Sequence, residues 1–245
     1  MNASTSRTGT ADEHFARLGA GYDNEAFTGA GLQWVSTREL DAVRRSLAGT
    51  PARARVLDAG AGNGRVTRVL GSELGFDVTA LDAVPAMLAT IKRSIPETKT
   101  VVAHLGEPLP FETASFDAVV SLRVLKWVPA WEYALSELVR VLRPDGRIVI
   151  EITNRNSLAR FGYRNAPVKP VARRAVREVG ERAGVCWTTE IPGTHLPFAL
   201  WQFGNRHGVL RAVTAIQRGA DLVLGTTAAR SIVLAGYKLP APVVD

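Results

Sequence analysis

The sequence predicts an α/β fold: a doubly wound, mostly parallel sheet covered by helices on both faces. Two observations carry that expectation. Short apolar runs that read as strands alternate with amphipathic helical runs between residues 54 and 154, the rhythm of βαβ crossovers. The first of those strands also empties into a glycine-rich turn, RVLDAGAGNGR at Arg55–Arg65, where doubly wound sheets place their ligands.

Taken in order, Ser36–Leu47 (STRELDAVRRSL) reads as a helix with Ser36 as N-cap and Glu39 completing a capping-box pattern. Residues 54–60 form a short buried strand and 64–74 the helix after it. Residues 76–83 are the second strand, and a helix follows from Pro85 to Ser94, with proline well placed in a first turn. A third strand falls at 100–105, and a fourth begins the stretch 116–125. Residues 131–142 are helical and 146–154 make a fifth strand. Beyond Asn154 the rhythm breaks. A basic helical stretch at 168–183, a strand near Val185–Glu190, a helix near Asn205–Leu224 and a last strand at 229–239 complete the chain.

A chain of 245 residues, 46% hydrophobic and 22% charged, suits one large α/β domain with decoration. The single cysteine, Cys186, excludes an internal disulfide framework and points to a reducing, cytoplasmic setting. The polar start MNASTSRTGTADEH lacks the apolar core of a signal peptide, and no 18 apolar residues run together. Charge is uneven. Residues 1–139 hold 14 Lys/Arg and 16 Asp/Glu, a net of −2, whereas 140–245 hold 16 and 7, a net of +9. Within 155–182 eight basic residues face two acidic ones. Either this is a solvated arginine-rich face, or it attracts an acidic substrate, a carrier protein or an anionic lipid surface. Nucleic acid fits poorly, because no recognised motif accompanies the charge.

The glycine turn narrows the ligand. A dinucleotide fingerprint needs a third glycine where Arg65 stands, and a phosphate-binding P-loop needs a Lys-Ser/Thr pair that is absent. Asp58, two residues before Gly60, would repel pyrophosphate but favour an ammonium or sulfonium group. Asp82 ends the second strand, where a carboxylate accepts hydrogen bonds from ribose hydroxyls. A positively charged nucleoside without phosphate describes S-adenosylmethionine.

With VLDAGAGNGR at the turn, VTALDAVPAML around Asp82, EPLPFETASFDAVVS and LVRVLRPDGRIVIEI in order, the chain resembles the class I S-adenosylmethionine-dependent methyltransferases, and in particular their ubiquinone and menaquinone branch. The resemblance covers about residues 12–154 and implies a Rossmann-like, seven-stranded sheet with an antiparallel last strand. Residues 1–10 read as a disordered tail, and the expected organisation beyond them is a helical N-terminal cap over 11–50, a cofactor-binding core over 51–154, and a C-terminal lid with the last strands over 155–245. By the same resemblance, Asp58, Gly60 and Gly62 line the methionine end of the cofactor and Asp82 the ribose. Ala83 and Met87 border ribose and adenine, Leu105 and Gly106 contact the adenine, and Leu122 lies beside the methionine. Tyr22 closes over the cofactor, and Arg38 is placed to reach its carboxylate; for both, a packed aromatic or a solvated helix arginine is the competing reading. The family often has an aspartate where Leu105 stands, so adenine would be held by backbone groups and apolar contact. Lys126 stands where the family often has a histidine that shapes the acceptor pocket, which leaves the acceptor open.

Methyl transfer from a sulfonium needs alignment more than activation, with a base only for a protonated acceptor. His195, in the Pro/Gly-framed loop EIPGTHLPFALW, is the preferred candidate base, against a pocket-lining role. His14, His104, His207, Tyr163 and Glu190 are weaker, and Cys186 reads as core. No His/Cys/carboxylate cluster has metal-ligand spacing. Phe161, Tyr163, Trp187, Phe198, Trp201 and Phe203 form either the core of a lid or a pocket for a flat, greasy acceptor. The stripe Val171, Ala175, Val176 and Val179 either packs on the domain or lies on lipid.

The expected function is transfer of a methyl group to an oxygen, nitrogen or carbon of a small acceptor, leaving S-adenosylhomocysteine. Quinone precursors, natural-product intermediates, carrier- or lipid-linked acids and sugars are candidate acceptors. A nicotinamide oxidoreductase is disfavoured by Asp58 and Arg65. A cofactor-binding protein without methyl transfer is the alternative from another class.

Overall fold

The computed structural model describes residues 28–157, 168–202 and 207–240. Tyr22, His14, Phe161, Tyr163 and Phe203 lie outside them, as does the tail over residues 1–10. Seven strands make one sheet in the order β3-β2-β1-β4-β5-β7-β6. They are β1 (Arg55–Ala59), β2 (Asp77–Asp82), β3 (Lys99–Val102), β4 (Phe116–Ser121), β5 (Leu142–Thr153), β6 (Val185–Pro192) and β7 (Ser231–Lys238). The strands from β3 to β5 pair in parallel, while β7 runs antiparallel to both β5 and β6. The order reverses at β1, so the switch point that receives ligands in such sheets lies between β1 and β4.

Both faces of the central strands β1, β4 and β5 are covered, and these strands are apolar on both sides. On one face Leu57, Val119, Ile148, Ile150 and Ile152 pack against Leu135 and Leu138 of α4 (Trp131–Val141) and Val176 of α5 (Arg173–Arg182). On the other, Val56, Val78, Ala118, Val120 and Val149 pack against Ala42 and Val43 of α1 (Ala30–Ser46) and Val66 and Leu70 beyond the glycine turn. There α2 (Arg65–Arg68) widens into a π-helical turn over Val69–Glu73, where the Leu74 N–H reaches the Val69 carbonyl at 3.0 Å. Next come α3 (Pro85–Ser94), which matches the sequence expectation, then α6 (Phe198–Gln202) and α7 (His207–Leu224).

The first helix and the basic helix depart from expectation. The first helix begins at Ala30, behind Gly29 (φ 96°), so Ser36 and Glu39 lie within it and form no capping box. Both instead bind Arg65, whose guanidinium reaches Ser36 Oγ at 3.0 Å and Glu39 Oε2 at 2.8 Å. The fourth strand stops at Ser121, and Arg123 turns out of it with φ 65° while donating its N–H to Glu151 Oε2 at 2.9 Å. The basic helix begins only at Arg173: Pro170 disfavours helix before it, and Val171 instead exchanges hydrogen bonds with Thr153 and Arg155.

The apolar stripe of α5 is turned inward. Val171, Val176 and Val179 are all buried, while Arg173 and Arg177 pair with Glu190 and Arg174 with Glu178. The stripe therefore packs on the domain. Trp187 lies against Gly180 and donates to the Arg177 carbonyl at 3.2 Å. Trp201 is buried and stacks on Trp34 with centroids 4.7 Å apart, so these two tryptophans are core. Across the sheet the Lys238 ammonium closes the end of α4, donating to the carbonyls of Val139 at 2.8 Å and Leu142 at 2.7 Å. Among the described residues no helix is long and apolar enough to cross a membrane.

Candidate active site

The glycine turn is built by backbone that only glycine adopts cheaply. Gly60, Gly62 and Gly64 have φ of 81°, 53° and 89°, in the left-handed region. A side chain on Gly60 would overlap the methyls of Val124, and one on Gly64 would meet Ile91 at 2.9 Å. The turn is fastened to the end of β2: the Gly60 and Ala61 N–H groups donate to the Leu81 carbonyl at 2.7 and 2.9 Å. Asp82 does the rest. Its Oδ2 accepts the Gly62 N–H at 2.8 Å and its Oδ1 the Val84 N–H at 2.9 Å, and the residue keeps partial exposure. A carboxylate with two oxygens has lone pairs beyond those two bonds, so Asp82 can hold the loop and still accept from ribose hydroxyls. Ala83 lies beside it half-buried, and Met87 is buried under Gly62, its sulfur 3.7 Å from where a Cβ would stand.

Asp58 does not line the turn in the way expected. Its carboxylate is 1% exposed and turned onto the helix that follows, where Oδ2 accepts the Thr67 hydroxyl at 2.6 Å. Burial pushes it up to about 6, against the Thr67 hydrogen bond and Arg65 and with help from Asp82. Arg65, the one cation of the turn, is drawn away to Ser36 and Glu39. The turn therefore presents one carboxylate, Asp82, with the buried Asp58 behind it, while Arg65 is tied to Ser36 and Glu39, an arrangement hostile to pyrophosphate and suited to a cationic ligand.

In the segment expected to contact adenine, Leu105 is buried in the core and Gly106 is exposed. Leu122 is buried behind the end of β4, so its backbone is what remains for a ligand. His104 is exposed on the segment after β3.

Two expected site residues are corrected. Arg38 is committed elsewhere: its guanidinium binds Asp221 at 2.9 Å and the carbonyls of Gly193 and Pro192 at 2.9 and 2.8 Å, lying over Trp34. Four of its five N–H donors are spent on Gly193, Pro192 and Asp221, so it anchors the end of β6 to α7 and does not reach for a cofactor carboxylate. His195 is 6% exposed, with Nε2 2.7 Å from the Gly225 carbonyl and Nδ1 2.9 Å from Gln217 Nε2. With Nε2 on the Gly225 carbonyl and Nδ1 engaged by Gln217 and 3.3 Å from Asp221 Oδ1, neither ring nitrogen is open to an acceptor, so His195 is a structural joint between the segment after β6 and α7 and not a base. Glu190 is likewise spent. Burial pushes its carboxyl up, but Arg173 and Arg177 prevail and hold it below the usual range.

Lys126 does sit at the carboxyl end of β4, on the 3₁₀ turn Leu125–Trp127. Burial and the neighbouring Arg123 push it down to about 7, with Arg230 adding and Glu151 and Glu39 opposing. Around it stand residues that sequence reasoning passed over. Glu39 of α1, 3% exposed, is shared by Arg65 at 2.8 Å and Arg123 at 3.5 Å. Burial raises the Glu39 carboxyl, but Arg123 and Arg65 outweigh that and leave it lowered. Glu151, also 3% exposed, lies on β5, and burial outweighs Lys126 to leave it raised. A signal was present: Glu151 is a charged residue inside the apolar strand GRIVIEIT, and such a residue is almost never buried without a partner.

Residues 57–150 match a family of methyltransferase domains. With the glycine turn, the acid at the end of β2 and the strand order, that segment is the core of a class I, S-adenosylmethionine-dependent methyltransferase fold. An uncharacterized methyltransferase of Mycobacterium tuberculosis is 41% identical over 138 residues, 55% of this chain and 49% of its own length. A malonyl-[acyl-carrier protein] O-methyltransferase of Enterobacter lignolyticus is 38% identical over 144 residues, 57% of this chain and 55% of its own. The chain thus spans about half the length of these relatives. A TehB-like SAM-dependent methyltransferase from Corynebacterium glutamicum is similar in structure, with a TM-score of 0.58, 25% identity and coverage of 92% of this chain and 98% of that one.

Proposed function

We propose that the chain binds S-adenosylmethionine across the β1 turn and moves its methyl group to an oxygen, nitrogen or carbon nucleophile of a small-molecule acceptor. The observation that carries this reading is the charge at the turn: Asp58 and Asp82 near the ligand's path, Arg65 turned away onto Glu39. A sulfonium gains from that field and a pyrophosphate loses. The cofactor supplies an electrophilic methyl carbon. The protein's part is to hold the nucleoside, with Asp82 on the ribose and the segment Leu105–Gly106 beside the adenine, and to align the acceptor from the β4 and β5 side. Titration calorimetry tests the reading. S-adenosylmethionine and S-adenosylhomocysteine should bind and NADH should not; tight NADH binding without the other two would overturn it.

A second reading, cofactor binding without methyl transfer, is favoured by one observation: both ring nitrogens of His195 are engaged, which removes the expected base. Incubating the protein with labelled cofactor and a broad acceptor panel separates the two, since only the first yields S-adenosylhomocysteine. Acceptors spanning quinone precursors, carrier-linked acids and sugars belong in that panel.

A further inference from the structure

We infer that the outward face of α7 (His207–Leu224) docks on a bilayer surface that carries anionic headgroups; this goes beyond the proposed methyl transfer and does not depend on it. The inner face fixes which way the helix points. Val213 and Gln217 are buried, with Gln217 on His195 and Asp221 on Arg38, so the helix cannot roll on the domain without breaking those joints. In an α-helix, side chains seven residues apart form rows along the axis. One outward row is Val209, Ile216 and Val223, the next holds only Ala212 and Gly219, and a third runs through Ala215 to Leu222. All of these are exposed, Ile216 at 60%, Val223 at 82% and Leu222 at 88%. At the edge of the arc stand Arg211 and Arg218, also seven apart and both exposed. The one acid of the helix, Asp221, is on the inner side.

Single exposed apolar residues are ordinary, whereas adjoining rows of them mark an interaction surface. The make-up of this one selects its occupant. A protein interface carries about one hydrogen bond per 100–200 Å², and between the Val209 row and the arginine edge no side chain can donate or accept one. A second copy would meet the two arginines with a face that holds no acid. A bilayer needs no directional bond: its acyl region takes the apolar rows, and its anionic headgroups meet guanidinium groups at the interface. The formal net charge of +7 adds attraction from a distance. Just past the helix, the carbonyls of Thr227 and Ala229 accept from the Asn154 side chain beyond β5. The carboxyl end of α7, with Leu222 and Val223, is thereby tied near the edge of the sheet that receives ligands.

Flotation of the full chain with unilamellar vesicles tests this. It should bind vesicles of phosphatidylcholine mixed with phosphatidylglycerol, bind phosphatidylcholine alone about tenfold more weakly, and lose affinity for the mixed vesicles as salt rises. The pair Ile216→Ser and Val223→Ser should weaken binding by about tenfold or more, and so should the pair Arg211→Gln and Arg218→Gln. These side chains are exposed, so both double variants should unfold at the temperature of the unaltered protein. Should either fail to fold, carbene footprinting of the unmodified chain decides: labelling of Leu222 and Val223 must be high in buffer and fall when mixed vesicles are added. No binding to mixed vesicles, binding indifferent to the apolar pair, or low labelling in buffer would overturn the inference. So would a dimer in sedimentation velocity that Ile216→Ser dissolves, because the face would then belong to a second copy.

Discussion

On the β2 and β3 side of the switch point, the ligand turn is fastened almost wholly by main chain: three glycines with positive φ, two N–H groups on the Leu81 carbonyl, and one short carboxylate, Asp82, on two more. On the β4 to β7 side, long charged side chains do the joining. Arg65 and Arg123 share Glu39, Arg38 crosses to Asp221, and Arg173 and Arg177 converge on Glu190. Main-chain fastening leaves little freedom, which suits a cofactor whose shape never varies. Side-chain fastening can be re-cut by single substitutions without disturbing the sheet, which under the proposed function would suit the half that meets the acceptor.

The contrast can be broken experimentally. Gly60→Ala should do the most damage, since a Cβ there needs a strained φ and overlaps Val124; a loss of about 3 kcal/mol in denaturant unfolding is expected, together with loss of cofactor binding. His195→Ala should cost about 2–3 kcal/mol of stability, because Gln217 and the Gly225 carbonyl lose their buried partner. Cofactor affinity should stay put; a large fall in turnover of a still-stable variant would restore His195 to the chemistry. Asp82→Ala should weaken S-adenosylmethionine by about 1–3 kcal/mol in calorimetry, and unchanged affinity would remove the carboxylate from the cofactor site.

Asp58 gives the smallest and most diagnostic effect. Its value of about 6 lies above the ordinary 3.8, so its ionised form costs stability. That cost is absent below about pH 4 and is complete once pH has risen past about 6. Asp58→Asn should therefore stabilise the unliganded protein by about 1–2 kcal/mol at pH 8 and by nothing at pH 4. A cationic ligand has the opposite interest. Its affinity should drop as pH falls through about 6, and the Asn variant should flatten that profile.

What could be read in advance follows the same division. The turn was legible because its determinants are local: glycines at 60, 62 and 64, and an acid one βαβ step on at Asp82. The parallel strands and α3 followed from periodicity. Ser36 and Glu39 misled because a capping box and a long-range pairing have the same spelling, and only the fold shows that Arg65, some 29 residues along, claims the serine. Arg38 and His195 misled for a related reason. Their partners, Asp221, Gln217 and Gly225, are remote in sequence and arrive only when α7 packs.

The antiparallel strand β7 sits between β5 and β6, and this order has a consequence for how the chain is made. Among the described residues β6 pairs with β7 alone, so residues through Lys238 must have left the ribosome before β6 can join the sheet. Until then the flank of β5 is an open row of amides and carbonyls beside Ile148, Ile150 and Ile152, a long-range closure of the slow, self-association-prone kind.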